Sequence, residues 1–304
     1  MDFATDPDTD EAVRSLFEQE SDDRHVPTEE ENAAYGRDMK RLQWANLLAG
    51  VFHVISFFAA LTLSLVFSDR IYRATVTRTF TEWNGAAGVP TLRTLGTYPL
   101  SWTVLPFPVL TAAAHLVILS PCVFRHYARI VLHHGKCDRT GWNWIRWTEY
   151  AITASLMTWT IAQLSGVTDL ALLFVLVALN VAMQLFGGLG HELLNFGWRR
   201  RGTADVRWWA FGLGFVPFAA VWAVIFAAFI VQAVDAAPPT FVWIIIFGMF
   251  AFFASFVVPI LLHYTQWQNW LAATNADYEL AFIALSFVSK AALDWTLVIG
   301  SITR

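Results

Sequence analysis

Seven long apolar stretches recur along the chain, each flanked by polar residues. They lie at roughly 44–68, 98–120, 142–165, 168–191, 207–233, 239–263 and 277–302. A bilayer core of about 30 Å is crossed by about 20 apolar residues in a helix. The pattern therefore predicts an all-α membrane protein with seven transmembrane helices. One such stretch alone could be a buried helix of a soluble domain, but seven in succession argue for a bilayer. Pro99 precedes the second stretch and Pro121 closes it, while Pro238 and Pro239 open the sixth. At a helix start the missing proline N–H is no loss. Pro108, Pro217 and Pro259 fall inside stretches and predict kinks, which membrane helices tolerate.

The connection at 69–97 differs from the rest. Ile71 to Phe80 is rich in β-branched and aromatic residues with partial polar alternation, and Gly85 and Gly88 follow. It reads as an external β-strand or hairpin. A free hairpin edge can pair with a second copy, so a homodimer is expected.

Composition agrees with this outline: 56% of the 304 residues are hydrophobic and 14% charged, against about 25% charged in soluble domains. Residues 1–43 hold 13 acidic and 5 basic residues, a net charge of −8. They lack the layout of a signal peptide and read as an acidic, largely disordered cytoplasmic tail. The tail either solvates the chain end or binds a partner; residues 44–304 form the membrane domain. If the N-terminus is inside, the cytoplasmic segments next to the spans carry 11 basic residues and the outer segments 5. The excess of Lys and Arg thus places the N-terminus in the cytoplasm and, with seven spans, the C-terminus outside. Cys122 and Cys137 fall together in a cytoplasmic connection where thiols stay reduced, and no function is expected of them. No nucleic-acid partner, metal site or enzymatic activity is expected.

Lys290 lies 13 residues into the seventh stretch, near the bilayer centre. An ionised lysine there costs roughly 2.5–3.5 kcal/mol on insertion scales, so it is paired, neutralised or chemically modified. A buried ion pair that only fixes helix packing remains one reading. Helical side chains lean toward their helix N-terminus, which tilts Lys290 toward Glu149 in the third stretch. Asp294, one turn farther on, lies on the opposite side, so Glu149 is the better partner.

The segment Ser286-Phe287-Val288-Ser289-Lys290-Ala291-Ala292-Leu293-Asp294-Trp295 resembles the seventh helix of microbial-type rhodopsins and, more narrowly, of heliorhodopsins. Asn143-Trp144-Ile145-Arg146-Trp147-Thr148-Glu149-Tyr150, with Ala154-Ser155 following, is similar to that family's counterion helix. The inverted orientation and the strand-bearing first connection match too, and the resemblance spans about residues 40–304. It implies a rhodopsin-like seven-helix bundle in which Lys290 carries all-trans retinal as a protonated Schiff base with Glu149 as counterion. By the same resemblance Ser286 hydrogen-bonds in that centre, and His53 and His115 line a polar cavity beside it. Thr111 shares a helix face with His115, Asn143 and Asn180 join an internal polar network, and Tyr150 lies in the retinal pocket. Each histidine alternatively serves as a hydrogen-bonded packing residue. Met183, Phe250, Phe253, Phe256 and Trp222 are candidate pocket walls on aromatic content alone, and ordinary packing explains them equally.

Light-driven pumps of the wider family place a second carboxylate one turn before the lysine, where this chain has Ser286. No carboxylate follows Glu149 in the third stretch, which reads Thr158-Trp159-Thr160 farther along. Pumping needs groups tuned in opposite directions on the two sides of the switch, so a slow light sensor with local proton transfer is expected. Its helices or tail would report to a cytoplasmic signalling protein. A light-gated proton conductance is the alternative within the family. A retinal-free secondary transporter or membrane hydrolase is the alternative outside it. Neither the internal repeats of a transporter nor three convergent zinc ligands are evident. Gly187-Gly188-Leu189-Gly190 ends a membrane stretch and reads as a site of close helix packing.

Overall fold

The computed structural model of the protein describes residues 28–84, 87–132, 143–195, 206–265 and 275–303. Its helices form a ring. Helix α1 (Glu29–Val66) packs on α3 (Pro106–Leu119), α3 on α5 (Trp144–Leu164), and α5 on α6 (Leu170–Leu185). Helix α6 continues as the π-helical segment Phe186–Glu192 and packs on α7 (Trp208–Ala236). Helix α10 (Asn275–Thr303) closes the ring against α8 (Thr240–Ser255) and α1. Residues such as Leu48, Ile55, Phe174, Val175, Val216 and Ile230 point outward and are exposed. Helices apolar on their outer face as well as inside suit a lipid surround.

Among the described residues, six helices are long and apolar enough to cross a membrane, where the sequence pattern predicts seven. Helix α5 coincides with the expected third span and has 21 residues, but it carries Arg146 and Glu149 and is not among the six. The first helix also departs from expectation. It begins at Glu29, fifteen residues before the expected start at 44, so part of the predicted acidic tail is helical. Leu42, near the border of that tail, is buried with Phe124, Tyr127 and Ala128, which explains why the helix extends so far. Residues 1–27 lie outside the described residues.

The prolines act partly as expected. The second stretch is broken at Leu105, between α2 (Ser101–Val104) and α3, because Pro106 opens a new helix there. Pro108 then sits in the first turn of α3, not at a mid-helix kink. Helix α8 ends at Ser255 and α9 (Val257–Tyr264) begins two residues later. Ser255 is four residues before Pro259, whose missing N–H leaves that carbonyl without its helical donor. Pro217 sits inside the continuous helix α7. Pro121 starts α4 (Pro121–Leu132), so much of the expected loop after the second stretch is helical; Cys122 is exposed in its first turn. Cys137 lies outside the described residues.

The predicted hairpin is present. Strand β1 (Arg73–Asn84) pairs antiparallel with β2 (Ala87–Pro99), with an irregularity between Val76 and Thr77. The Thr77 backbone N–H donates to the Thr168 carbonyl at 2.9 Å, and the Thr79 N–H donates to Asp169 Oδ2 at 3.0 Å. Asp169 also caps α6 through Oδ1, which accepts from the Leu172 N–H at 3.1 Å. One carboxylate thus ties the hairpin to a membrane helix.

Candidate functional site

Lys290 enters the ring from α10 and is 3% exposed. Its Nζ lies 2.5 Å from Glu149 Oε1 on α5, so the two helices meet through opposite charges as the sequence predicts. Thr111 on α3 donates its hydroxyl to the same Glu149 oxygen at 3.0 Å. Lys290 Nζ also stands 5.4 Å from the centre of the Tyr150 ring. Tyr150 is held in turn by its hydroxyl, which donates to the Phe282 carbonyl at 3.0 Å. Such a buried pair is costly to break: removing one partner typically destabilises by about 3–5 kcal/mol.

Beside this pair lies a cavity of about 280 Å³, walled by residues of α5, α6, α7, α8, α9 and α10, with Lys290 as its amine. This is near the lower end of ordinary ligand pockets, about 300 Å³. Tyr150, Met183, Phe253, Phe256 and Ser286 line it. Phe250 and Trp222 do not. They pack on each other with ring centres 5.2 Å apart and belong to the aromatic layer between α7 and α8, because Phe250 lies one turn before Phe253 on α8 and packs there on Phe218 and Phe226 of α7. Gly187 and Gly188 let Trp147 lie against the π-helical segment: a Cβ at either position would approach the Trp147 ring to 2.3 and 2.7 Å. Close helix packing at this glycine run is therefore observed.

A second, small cavity of about 40 Å³ is lined by His115, Asn46, Asn143, Glu149 and Ser286 among others. His115 Nδ1 is 2.8 Å from Asn46 Oδ1, while Asn46 Nδ2 donates to the Leu42 carbonyl at 2.8 Å. Because an amide oxygen only accepts, Nδ1 carries the imidazole proton and Nε2 is left as the base. His53 departs from expectation: it does not line this cavity but stacks parallel to His115, ring centres 6.3 Å apart, with Phe287 at its edge. The packing of Phe287 on His53 keeps that ring at the α1–α10 contact. Its Nε2 is buried with no hydrogen-bond partner among the described residues. Asn180 donates to Ser155 Oγ at 3.1 Å, linking α6 to α5.

Sequence reasoning missed a second buried ionic group. Arg146, one turn before Glu149, bonds through its guanidinium to both Glu192 and Glu279. Asn143 caps α5 by accepting from the Arg146 N–H at 3.2 Å and donates from Nδ2 to Glu279 Oε1 at 2.8 Å. The guanidinium lies 4.0 Å from the centre of the Phe282 ring. Glu192 and Glu279 read as span ends in the sequence. An arginine inside a predicted span, given no role there, was the available signal.

The donor set suits one kind of guest. A single amine opens on a largely apolar slot, with a carboxylate beside it to neutralise positive charge at the nitrogen. That combination fits an elongated apolar aldehyde joined covalently to Lys290, and retinal has this form. A family model described as heliorhodopsin matches residues 42–302. Among solved structures, the light-driven proton pump LR (Mac) from Leptosphaeria maculans is similar at 9% identity, over 90% of this chain and 95% of that one, with a TM-score of 0.45. A comparison with curated proteins found no match.

Proposed function

The chain belongs to the heliorhodopsin family, and from that premise we propose that it is a light sensor in which Lys290 carries all-trans retinal, Glu149 is the counterion and light starts a slow signalling cycle without net ion transport. At the coarser level it is a light-responsive, multi-pass membrane protein. The observation that carries the reading is the 2.5 Å approach of Lys290 Nζ to Glu149 Oε1 at the wall of the apolar cavity.

When bound, retinal supplies a polyene that absorbs visible light and changes shape on doing so. The remaining work falls to the chain. Lys290 fixes one end of the chromophore, and the aromatic walls orient the rest and exclude water. Glu149 stabilises positive charge at the Lys290 nitrogen, and Thr111 holds the carboxylate in place. Once the nitrogen is turned away, Glu149 and His115 Nε2 are among the bases at the small cavity. A proton taken up there stays inside the protein. Ser286 occupies the position of the second carboxylate of pumps, which favours sensing over transport.

Helix α5 serves as the seventh span. Its charged side chains Arg146 and Glu149 are ion-paired inside the ring, while Trp144 and Ile152 on its outer face are exposed and apolar. The excess of basic residues supports a cytoplasmic N-terminus, and exposed Trp83 and Leu92 on the hairpin support a homodimer. A cytoplasmic signalling protein would read the change in helix packing.

The test is direct. The protein expressed with all-trans retinal should be coloured, and hydroxylamine under illumination should bleach it. Lys290→Ala should stay colourless. A folded parent protein that remains colourless with retinal would overturn the reading, and photocurrents that follow the proton gradient would overturn its non-transporting part.

A further inference from the structure

The ionic group one turn from Glu149 is unbalanced: one guanidinium faces two carboxylates, with the Arg146, Glu192 and Glu279 side chains only 5%, 1% and 4% exposed. Glu279 accepts from Arg146, from Asn143 Nδ2 and from the Tyr127 hydroxyl at 3.0 Å. Glu192 accepts from Arg146, from the Asn143 N–H at 3.2 Å and from the Tyr278 hydroxyl at 3.2 Å. Each carboxylate is thus surrounded by three donors, while one guanidinium stands against two carboxylates in this buried place. Arg146 Nε, also buried, has no hydrogen-bond partner among the described residues.

This group shares a cavity with Glu149, the partner of the lysine. The cavity of about 40 Å³ is lined by Glu149 and Ser286 at one side and by Arg146 and Glu279 at the other. A cavity needs only about 10–15 Å³ to hold a water, and its polar lining offers that water partners. A further cavity of about 20 Å³ continues past Arg146 and Glu279. Glu279 lines both small cavities and Glu192 lines neither.

We propose that Glu279, within the Arg146–Glu192–Glu279 group, is the site that holds the proton released from Lys290 during the light-driven cycle. The inference rests on the chromophore assignment above and extends it. The N–H bond at Lys290 breaks, the proton passes by way of Glu149 across the small cavity, and an O–H bond forms on Glu279. Lys290 loses one positive charge and the buried group loses one negative charge, so the total is unchanged and no ion crosses the membrane. A neutral Glu279 binds Arg146 less strongly, which loosens the tie between α5 and the start of α10 while Glu192 keeps the guanidinium.

Light-minus-dark infrared spectroscopy of the retinal-loaded full chain tests this. The parent should show a new carboxylic-acid carbonyl band when Lys290 deprotonates. Glu279→Gln should remove that band and leave the dark visible band in place, whereas Glu192→Gln should retain it. Without retinal, the melting temperature of Glu279→Gln should stay near that of the parent, because one neutral side chain balances the group; Arg146→Gln should melt far lower. A band that survives Glu279→Gln, a parent that deprotonates Lys290 without forming any acid band, or a Glu279→Gln protein too unstable to load would each overturn the proposal. A folded parent that never colours would instead sink the chromophore assignment, so the two failures are distinguishable.

Discussion

Thr111 and Lys290 converge on one atom, Glu149 Oε1, from helices α3 and α10. The hydroxyl and the amine are both donors and do not compete for a proton, so Thr111 reinforces the carboxylate without replacing the charge that balances it. Hydrogen bonds to charged groups contribute about 1.5–3 kcal/mol. Thr111→Val should therefore lower the thermal stability of the pigment by about that amount and displace its visible band less than Glu149→Gln does. Thr111→Ser should restore most of both. An unchanged band and melting temperature in Thr111→Val would show that Thr111 does not act on the counterion.

Glu149→Gln removes the balancing charge and leaves the Lys290 nitrogen to carry its positive charge alone in a buried site. Breaking a buried pair in this way costs about 3–5 kcal/mol, enough to drive the proton off the nitrogen near neutral pH. The visible band should then be lost or strongly displaced in absorbance spectra at pH 7, and should return as the pH is lowered. Retention of the parent band at pH 7 would assign the counterion to another group.

Gly187 gives a steric prediction. A methyl at this position would meet the Trp147 ring at 2.3 Å, and Trp147 walls the large cavity. Gly187→Ala should force the indole into the retinal slot, slow pigment formation and destabilise the protein by about 1–3 kcal/mol, as overpacking typically does. Retinal-binding kinetics and melting curves would measure both. Gly248, which has open space around its Cβ position, is the control: Gly248→Ala should load like the parent.

At the other end of the molecule, Asp169 joins the hairpin to α6. Asp169→Ala removes the cap on the Leu172 N–H and the acceptor of the Thr79 N–H, a loss of about 0.5–2 kcal/mol for the cap alone. Hydrogen exchange should quicken at those two amides before any change reaches the Lys290 site. Equal exchange in parent and variant would mean the hairpin is held by its other contacts.

The exposed hairpin face predicts association. Trp83 is 70% and Leu92 67% exposed. If they lie in a homodimer contact, Trp83→Glu with Leu92→Glu should halve the protein mass measured in detergent without altering the visible band. A parent that is already monomeric would remove the dimer from the account.

Much of this architecture is legible in the linear pattern, because a bilayer imposes a length and an apolarity that no soluble helix requires. The hairpin is legible for a similar local reason: β-branched and aromatic residues followed by glycine. Lys290 stands out because a lone amine at that depth is expensive, and Glu149 follows as the carboxylate at matching depth. The start of helix α1 is not legible in this way, since Glu29 to Gln43 is mostly polar in sequence and packs on the rest of the protein through Tyr35, Met39 and Leu42.

What the sequence by itself determined is thus the set of apolar stretches, the hairpin and the lysine–carboxylate pair, each set by a cost that acts on one residue or one segment at a time. The tertiary structure decided what those costs cannot specify. It placed Phe250 in the aromatic layer beside Trp222 and Phe253 on the cavity wall, and it set His53 against Phe287 and off the lining of the small cavity. It also joined Arg146 to Glu192 and Glu279, 46 and 133 residues away in the chain. These outcomes depend on how helices rotate about their axes and which faces they share, and that rotation is fixed only when all the helices pack together.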